Sequence, residues 1–264
     1  MNRINETFAR LAGREGACLP FLVGGDPGLE ASEEYALALV EGGADLIEIG
    51  VPFSDPVADG PTIQAAAQRA LEQGVTPDQI FALLSRLRKH VSIPLVLLTY
   101  YNLIFRRGEE SFLTEASDAG ADGIIVPDLP VEEADTLVAL GEKRGMAVIF
   151  LATPATGEER LQHLVSKGSG FLYLVARYGV TGEKRELGDR TTELIQCVRP
   201  IAQGKLPLAV GFGLSTPDQV ADVIRAGADG AIVGSAIVRR IAENHPPEHI
   251  ASFVRTLKDA TLLP

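Results

Sequence analysis

Eight short apolar runs, each separated from the next by a helix-length segment, constrain this chain more than any other feature. They read CLPFLV (18–23), LIEIG (46–50), IPLVLL (93–98), GIIVP (123–127), AVIFLA (147–152), FLYLVA (171–176), PLAVG (207–211) and GAIVG (230–234). Near-continuous hydrophobicity over such lengths predicts parallel strands covered on both faces rather than strands with one wet face. The intervening segments, such as ASEEYALALVEGG and TPDQVADVIRAG, have helical periodicity and end in glycine. A weak internal repeat supports the count. Gly43-Ala44-Asp45, Gly120-Ala121-Asp122 and Gly227-Ala228-Asp229 each close a helix just before a strand, and Gly168-Ser169-Gly170 does so before the sixth. Eight strands alternating with helices over 264 residues predict an α/β fold, a single (β/α)8 TIM barrel spanning 1–264. A doubly wound open sheet is the alternative, but eight regular units without a dinucleotide fingerprint favour closure. The first residues, MNRINETFARLAGREG, predict a short amphipathic helix with Ile4, Phe8 and Leu11 on one face, not a signal peptide.

Composition narrows the partners. With 46% hydrophobic residues the chain can fill a barrel core, and a net charge of -11 argues against nucleic acid and anionic membranes. A phosphorylated small molecule stays open, because backbone amides bind phosphate without lysine. No apolar run reaches membrane-spanning length. Cys18 and Cys197 lie far apart and form no metal or redox motif, which predicts reduced thiols and a cytoplasmic protein.

In a barrel of this kind, chemistry gathers where strands end and βα loops begin. Two such loops are long, 51–61 and 177–190, and both carry glycine and charge, as expected of lids. Residues 48–64 read EIGVPFSDPVADGPTIQ. Glu48 ends an apolar run, and a buried carboxylate is costly unless paired or working. Asp59 follows in a turn-rich stretch, so strand and loop supply two carboxylates for proton transfer. The bland reading makes Glu48 a satisfied structural acid and Asp59 a helix cap. Asp55 either shapes the loop as a turn residue or meets another lid.

A phosphate cradle is predicted from two glycine turns, Gly211-Phe212-Gly213 after the seventh strand and Gly234-Ser235 after the eighth. Tyr173 is either a rim residue or core, and Thr181 and Gly182 sit where a lid would close over a ligand and add a donor to the phosphate. None of the six lysines falls at a strand's C-terminal end, which argues against Schiff-base chemistry. His245 and His249 flank Pro246-Pro247, a helix start rather than a zinc helix. Asp55 and Asp59 holding magnesium with a substrate phosphate is a minor alternative; the main expectation is no metal.

The chain resembles the tryptophan synthase alpha subunit family over essentially its whole length. The resemblance rests on PFLVGGDP (20–27), EIGVPFSDPVADGPTIQ (48–64), TYYNLIF (99–105), PDLPVEE (127–133), YGVTG (178–182), VGFGLS (210–215) and GSAIV (234–238). It implies a carbon–carbon lyase that cleaves indole-3-glycerol phosphate to indole and glyceraldehyde 3-phosphate in tryptophan biosynthesis. It also implies no cofactor on this chain, and a beta subunit partner that carries pyridoxal phosphate and receives the indole in an alpha2beta2 heterotetramer. The alternatives are a free-standing lyase and a non-catalytic activator of a partner enzyme. Carried over by motif, Glu48 would move the proton at indole C3, Asp59 would face the indole N–H, and Tyr173 would lie near the glycerol. Gly182, Gly211, Gly213, Gly234 and Ser235 would hold the phosphate, and Phe21, Leu98, Ile125 and Phe212 would form the indole slot. Asp55 and Thr181 would join the two lids. Ala176 and Tyr178 depart from the family pattern, where small hydroxyl residues are frequent.

Overall fold

A computed structural model describes residues 2–175, 189–211 and 213–263. The expectations for Ala176, Tyr178, Thr181, Gly182 and Phe212 therefore lie outside the described residues. The strands are β1 (Ala17–Val23), β2 (Ile47–Gly50), β3 (Leu95–Leu98), β4 (Gly123–Ile125), β5 (Ala147–Ile149), β6 (Leu151–Ala152), β7 (Leu172–Val175), β8 (Leu208–Gly211) and β9 (Gly230–Val233). Neighbouring strands are parallel, in the order β5-β4-β3-β2-β1-β9-β8-β7-β6. The two ends of that order belong to one apolar run interrupted at Phe150. Its first half pairs with β4 and its second with β7, and Tyr173 N–H donates to Phe150 O at 3.0 Å across the interruption. The sheet thus closes through the fifth run, and the eight predicted strands form a (β/α)8 barrel.

Twelve α-helices surround the sheet among the described residues. Those that position the site are α3 (Pro61–Glu72) after β2, α5 (Tyr101–Arg107) after β3, α10 (Pro217–Arg225) after β8 and α11 (Ser235–Ala242) after β9. The segment after β4 was not anticipated as long. It spans residues 126–134, where Pro127 and Pro130 delay the next helix and a 3-10 turn forms at Val131–Glu133. No helix among the described residues is long and apolar enough to cross a membrane.

Alternation along each strand separates two apolar sets. Ile47, Ile49, Leu172 and Leu174 pack outward under the helices. Leu19, Leu46, Val96, Ile125, Ile149, Phe171, Tyr173 and Ile232 fill the barrel interior. Helix α1 (Arg3–Leu11) inserts Ile4, Phe8 and Leu11 into that inner set, with the Phe8 ring 5.8 Å from Phe171. The predicted amphipathic helix is a plug for the N-terminal end of the barrel.

The Gly-Ala-Asp repeat acquires a structural duty at that same end. Asp45 accepts from the N–H of Cys18 at 3.0 Å, Asp122 from Leu95 at 2.9 Å, and Asp229 from Leu208 at 2.7 Å. Ser169 does the same for Val148 at 2.9 Å. Each staple joins the start of an odd-numbered barrel strand to the residue that leads into the next strand. The aspartates are also neutralised: Asp45 by Arg10 and Lys258, Asp122 by Arg3 and Arg88, Asp229 by Arg199. Stability is built at one end of the barrel, which leaves the other end for chemistry.

Candidate active site

Glu48 faces the barrel interior, because it alternates with the outward-packed Ile47 and Ile49. It lies beside Phe21 of β1 and Val96 of β3, two residues before the end of β2. Its side chain is buried, 1% exposed, and Oε1 has no hydrogen-bond partner among the described residues. A carboxylate deprived of both water and a counter-charge holds its proton. Burial pushes the Glu48 carboxyl up to about 8. A structural acid is ordinarily paired; burial holds Glu48 in its protonated form inside the barrel.

Asp59 sits at the end of the segment between β2 and α3, a stretch folded by Val57 N–H to Asp55 O at 2.9 Å and Asp59 N–H to Pro56 O at 3.0 Å. Its side chain is fixed from outside that segment. The Tyr100 hydroxyl donates to Asp59 Oδ2 at 2.9 Å and accepts from Ala58 N–H at 3.2 Å, while the Tyr100 ring stacks on Phe53 at 5.2 Å. Burial raises the Asp59 carboxyl and the Tyr100 hydrogen bond lowers it. Burial thus raises both carboxyls, and among the described residues only Asp59 has a side-chain hydrogen bond that offsets it in part. Tyr100 itself is buried and stays a neutral donor, its hydroxyl raised by burial and then by Asp59. The sequence reading missed Tyr100. The only signal was a doubled tyrosine just past the third strand, and Tyr101 N–H extends the chain of contacts to Asp128 Oδ1 at 2.9 Å.

Tyr173 points inward, 6% exposed, and the carboxyls of Glu48 and Asp59 both act on its hydroxyl after burial, so it remains neutral. It is an interior residue close enough to both carboxyls to feel them. Gly211 makes its position possible: a Cβ there would lie 2.3 Å from the Tyr173 hydroxyl oxygen. Glycine at 211 is thus required for Tyr173 whatever else it does.

Gly234 caps α11 with no side-chain hydrogen bond, and Ser235 is the first helical residue. No described side chain caps the first N–H groups of α11, which leaves those of Ser235 and Ala236 available to an anion. Helix α10 differs, because Thr216 accepts from Gln219 N–H and Gln219 Oε1 accepts from Ser215 N–H at 2.8 Å. Gly213 has φ +99°, a conformation that suits glycine.

Phe21, Leu98 and Asp59 meet in one crevice with Val23, Phe53 and Tyr100, of about 10 Å³. Ile125 stands level with Leu98 on the next strand and is fully buried among the inner set. Asp55 is exposed and accepts from the Ser54 hydroxyl at 2.6 Å, the turn duty foreseen as one of its two readings. Asp55 and Asp59 thus have separate partners, Ser54 and Tyr100.

The fold and site together define a (β/α)8 barrel with a protonated interior glutamate and an aspartate on the adjoining loop. The chain belongs to the tryptophan synthase alpha chain family, whose model matches residues 8–261. The alpha chain of Methanosarcina mazei is 48% identical over 98% of this chain and 94% of its own length. The solved alpha subunit of Legionella pneumophila superposes with a TM-score of 0.88 at 36% identity, covering 99% of this chain and 98% of that one. A chain from the α2β2 complex of Pyrococcus furiosus gives 0.87 at 40% identity, covering 92% and 98%.

Proposed function

We propose that this chain, as one barrel domain, cleaves indole-3-glycerol phosphate to indole and glyceraldehyde 3-phosphate in the cytoplasm. It works in an alpha2beta2 complex whose beta subunit carries pyridoxal phosphate and takes up the indole. The observation that carries this reading is Glu48, a neutral acid buried opposite Tyr173 whose Oε1 has no hydrogen-bond partner among the described residues. Breaking the bond between indole C3 and the glycerol carbon needs a proton at C3, which Glu48 supplies. Positive charge then develops at the indole N–H, and the Asp59 carboxylate, held by Tyr100, stabilises it. Electrons of the breaking bond return to the ring as the neighbouring hydroxyl gives up its proton. The ionised Glu48 accepts that proton, which restores the acid. Tyr173 borders the glycerol, Phe21, Leu98, Ile125 and Phe212 enclose the indole, and Gly182, Gly211, Gly213, Gly234 and Ser235 receive the phosphate. Asp55 and Thr181 join the lids over the bound substrate.

The test is a spectrophotometric assay of cleavage by the chain alone and with a beta subunit. A large rate gain with the partner supports the proposal. Full activity without any gain identifies a free-standing lyase, and no cleavage in either case removes the catalytic reading. Glu48→Gln is expected to lower turnover by at least roughly a hundredfold while leaving phosphate binding in place.

A further inference from the structure

Asp26 and Arg69 form an ion pair that the chemistry above does not use. Asp26 lies just past β1, in the turn of residues 24–28, and is 3% exposed. Arg69 lies in the last turns of α3 and grips it with both arms, Nε to Oδ1 and Nη2 to Oδ2, each at 2.8 Å. The hydrogen bond to Asp26 is the largest influence raising the Arg69 guanidinium. Burying a carboxylate for a surface-reaching arginine is seldom better for stability than an apolar pair of similar volume. What such a pair does provide is direction, because a planar fork on a carboxylate fixes angle as well as distance.

The surroundings reinforce that direction. Gln73 Nε2 donates to Pro27 O at 2.6 Å, and Gly25 has φ +84° with Val75 only 2.6 Å from where a Cβ would stand. Ser32 accepts from Gly25 N–H and donates to Asp26 O. The C-terminal half of α3 is thus fastened to the β1 turn. Its first two turns carry Ile63, Ala66 and Ala67 against Phe21, Val23 and Val238. Its first turn then holds the catalytic loop, since Gln64 Nε2 donates to Asp59 O at 2.8 Å and Gly60 caps the helix. Arg69 stands ten residues from Asp59 along one stiff element that begins at Pro61. A tilt at the fastened end moves Asp59 at the other.

We infer that Arg69, through its bidentate pair with Asp26, is a positioning residue that sets where Asp59 stands relative to Phe21 and Glu48. This rests on the proposed lyase reaction, and the test separates the two. The experiment measures kcat, KM and the pH profile of indole-3-glycerol phosphate cleavage in the complex with a beta subunit. It compares wild type with Arg69→Met, Arg69→Lys and the double variant Asp26→Leu with Arg69→Met, which leaves no buried charge unpaired. Circular dichroism confirms the folded fraction of each. If wild type does not cleave the substrate, the lyase reading fails before the variants are considered. If it does, kcat in Arg69→Met and in the double variant is expected to fall about ten- to a hundredfold with KM little changed. The acid limb of the profile should move to lower pH, because a displaced Asp59 is better hydrated. Arg69→Lys should recover only part of the loss. Wild-type kcat in the folded double variant would overturn the inference, as would a loss that follows the folded fraction with the acid limb unmoved.

Discussion

At the scale of single residues, the site turns on how little surrounds Glu48. Its carboxyl stands at about 8 in the folded chain against an ordinary value of 4.5, with burial as the cause. Between those two values the folded state holds a proton that the unfolded chain has released, so stability falls as pH rises through that window. Glu48→Gln keeps the shape and removes the titration. It should equal wild type near pH 4 and exceed it above pH 8 by on the order of a few kcal/mol, read by urea unfolding at the two pH values. The same protonation predicts that kcat/KM for wild type declines above about pH 8, as the acid proposed to act at C3 is lost. Tyr100→Phe separates a second contribution. It deletes the donor to Asp59 and the acceptor for Ala58 N–H. Turnover should fall about tenfold while the fold loses only about 1 kcal/mol, measured by kinetics and denaturation on the same preparation. Glu48 was legible in the sequence because a charge inside an apolar strand stands out. Tyr100 was not, because its meaning depends on a loop 41 residues away arriving beside it.

Among elements, the N-terminal end of the barrel is where substitutions should be costliest to the fold and quietest for the reaction. Asp122 receives the Leu95 N–H and two arginines while 5% exposed. Asp122→Ala leaves those groups without their acceptor and is expected to cost about 3 kcal/mol. Ser169→Ala loses only one neutral hydrogen bond, about 1 kcal/mol. Chemical denaturation of the two variants tests that order. Phe8→Ala opens a hole in the α1 plug beside Phe171 and should cost about 3 kcal/mol, with KM for the substrate unchanged. The strands were legible because parallel, doubly covered segments are continuously apolar. The break at Phe150 was not, since Phe150 is itself apolar and packs outward in alternation with the inward Ile149 and Leu151. Gly211 shows the reverse case: the glycine was visible in the sequence, but its clearance for Tyr173 appears only in three dimensions.

For the molecule as a whole, the two ends of the barrel divide the work. The staples with their paired aspartates and the α1 plug occupy one; Glu48, Asp59 and the Asp26–Arg69 pair occupy the other. The four staples also bear on how the chain reaches this shape. They close over 27, 27, 21 and 21 residues. Each can form as soon as its own stretch of chain has been synthesised, without waiting for the last strand to meet the first. Contacts of such short range favour rapid folding. The barrel can therefore be assembled on the ribosome as four successive quarters, and the pairing of β1 with β9 becomes the final act that seals them.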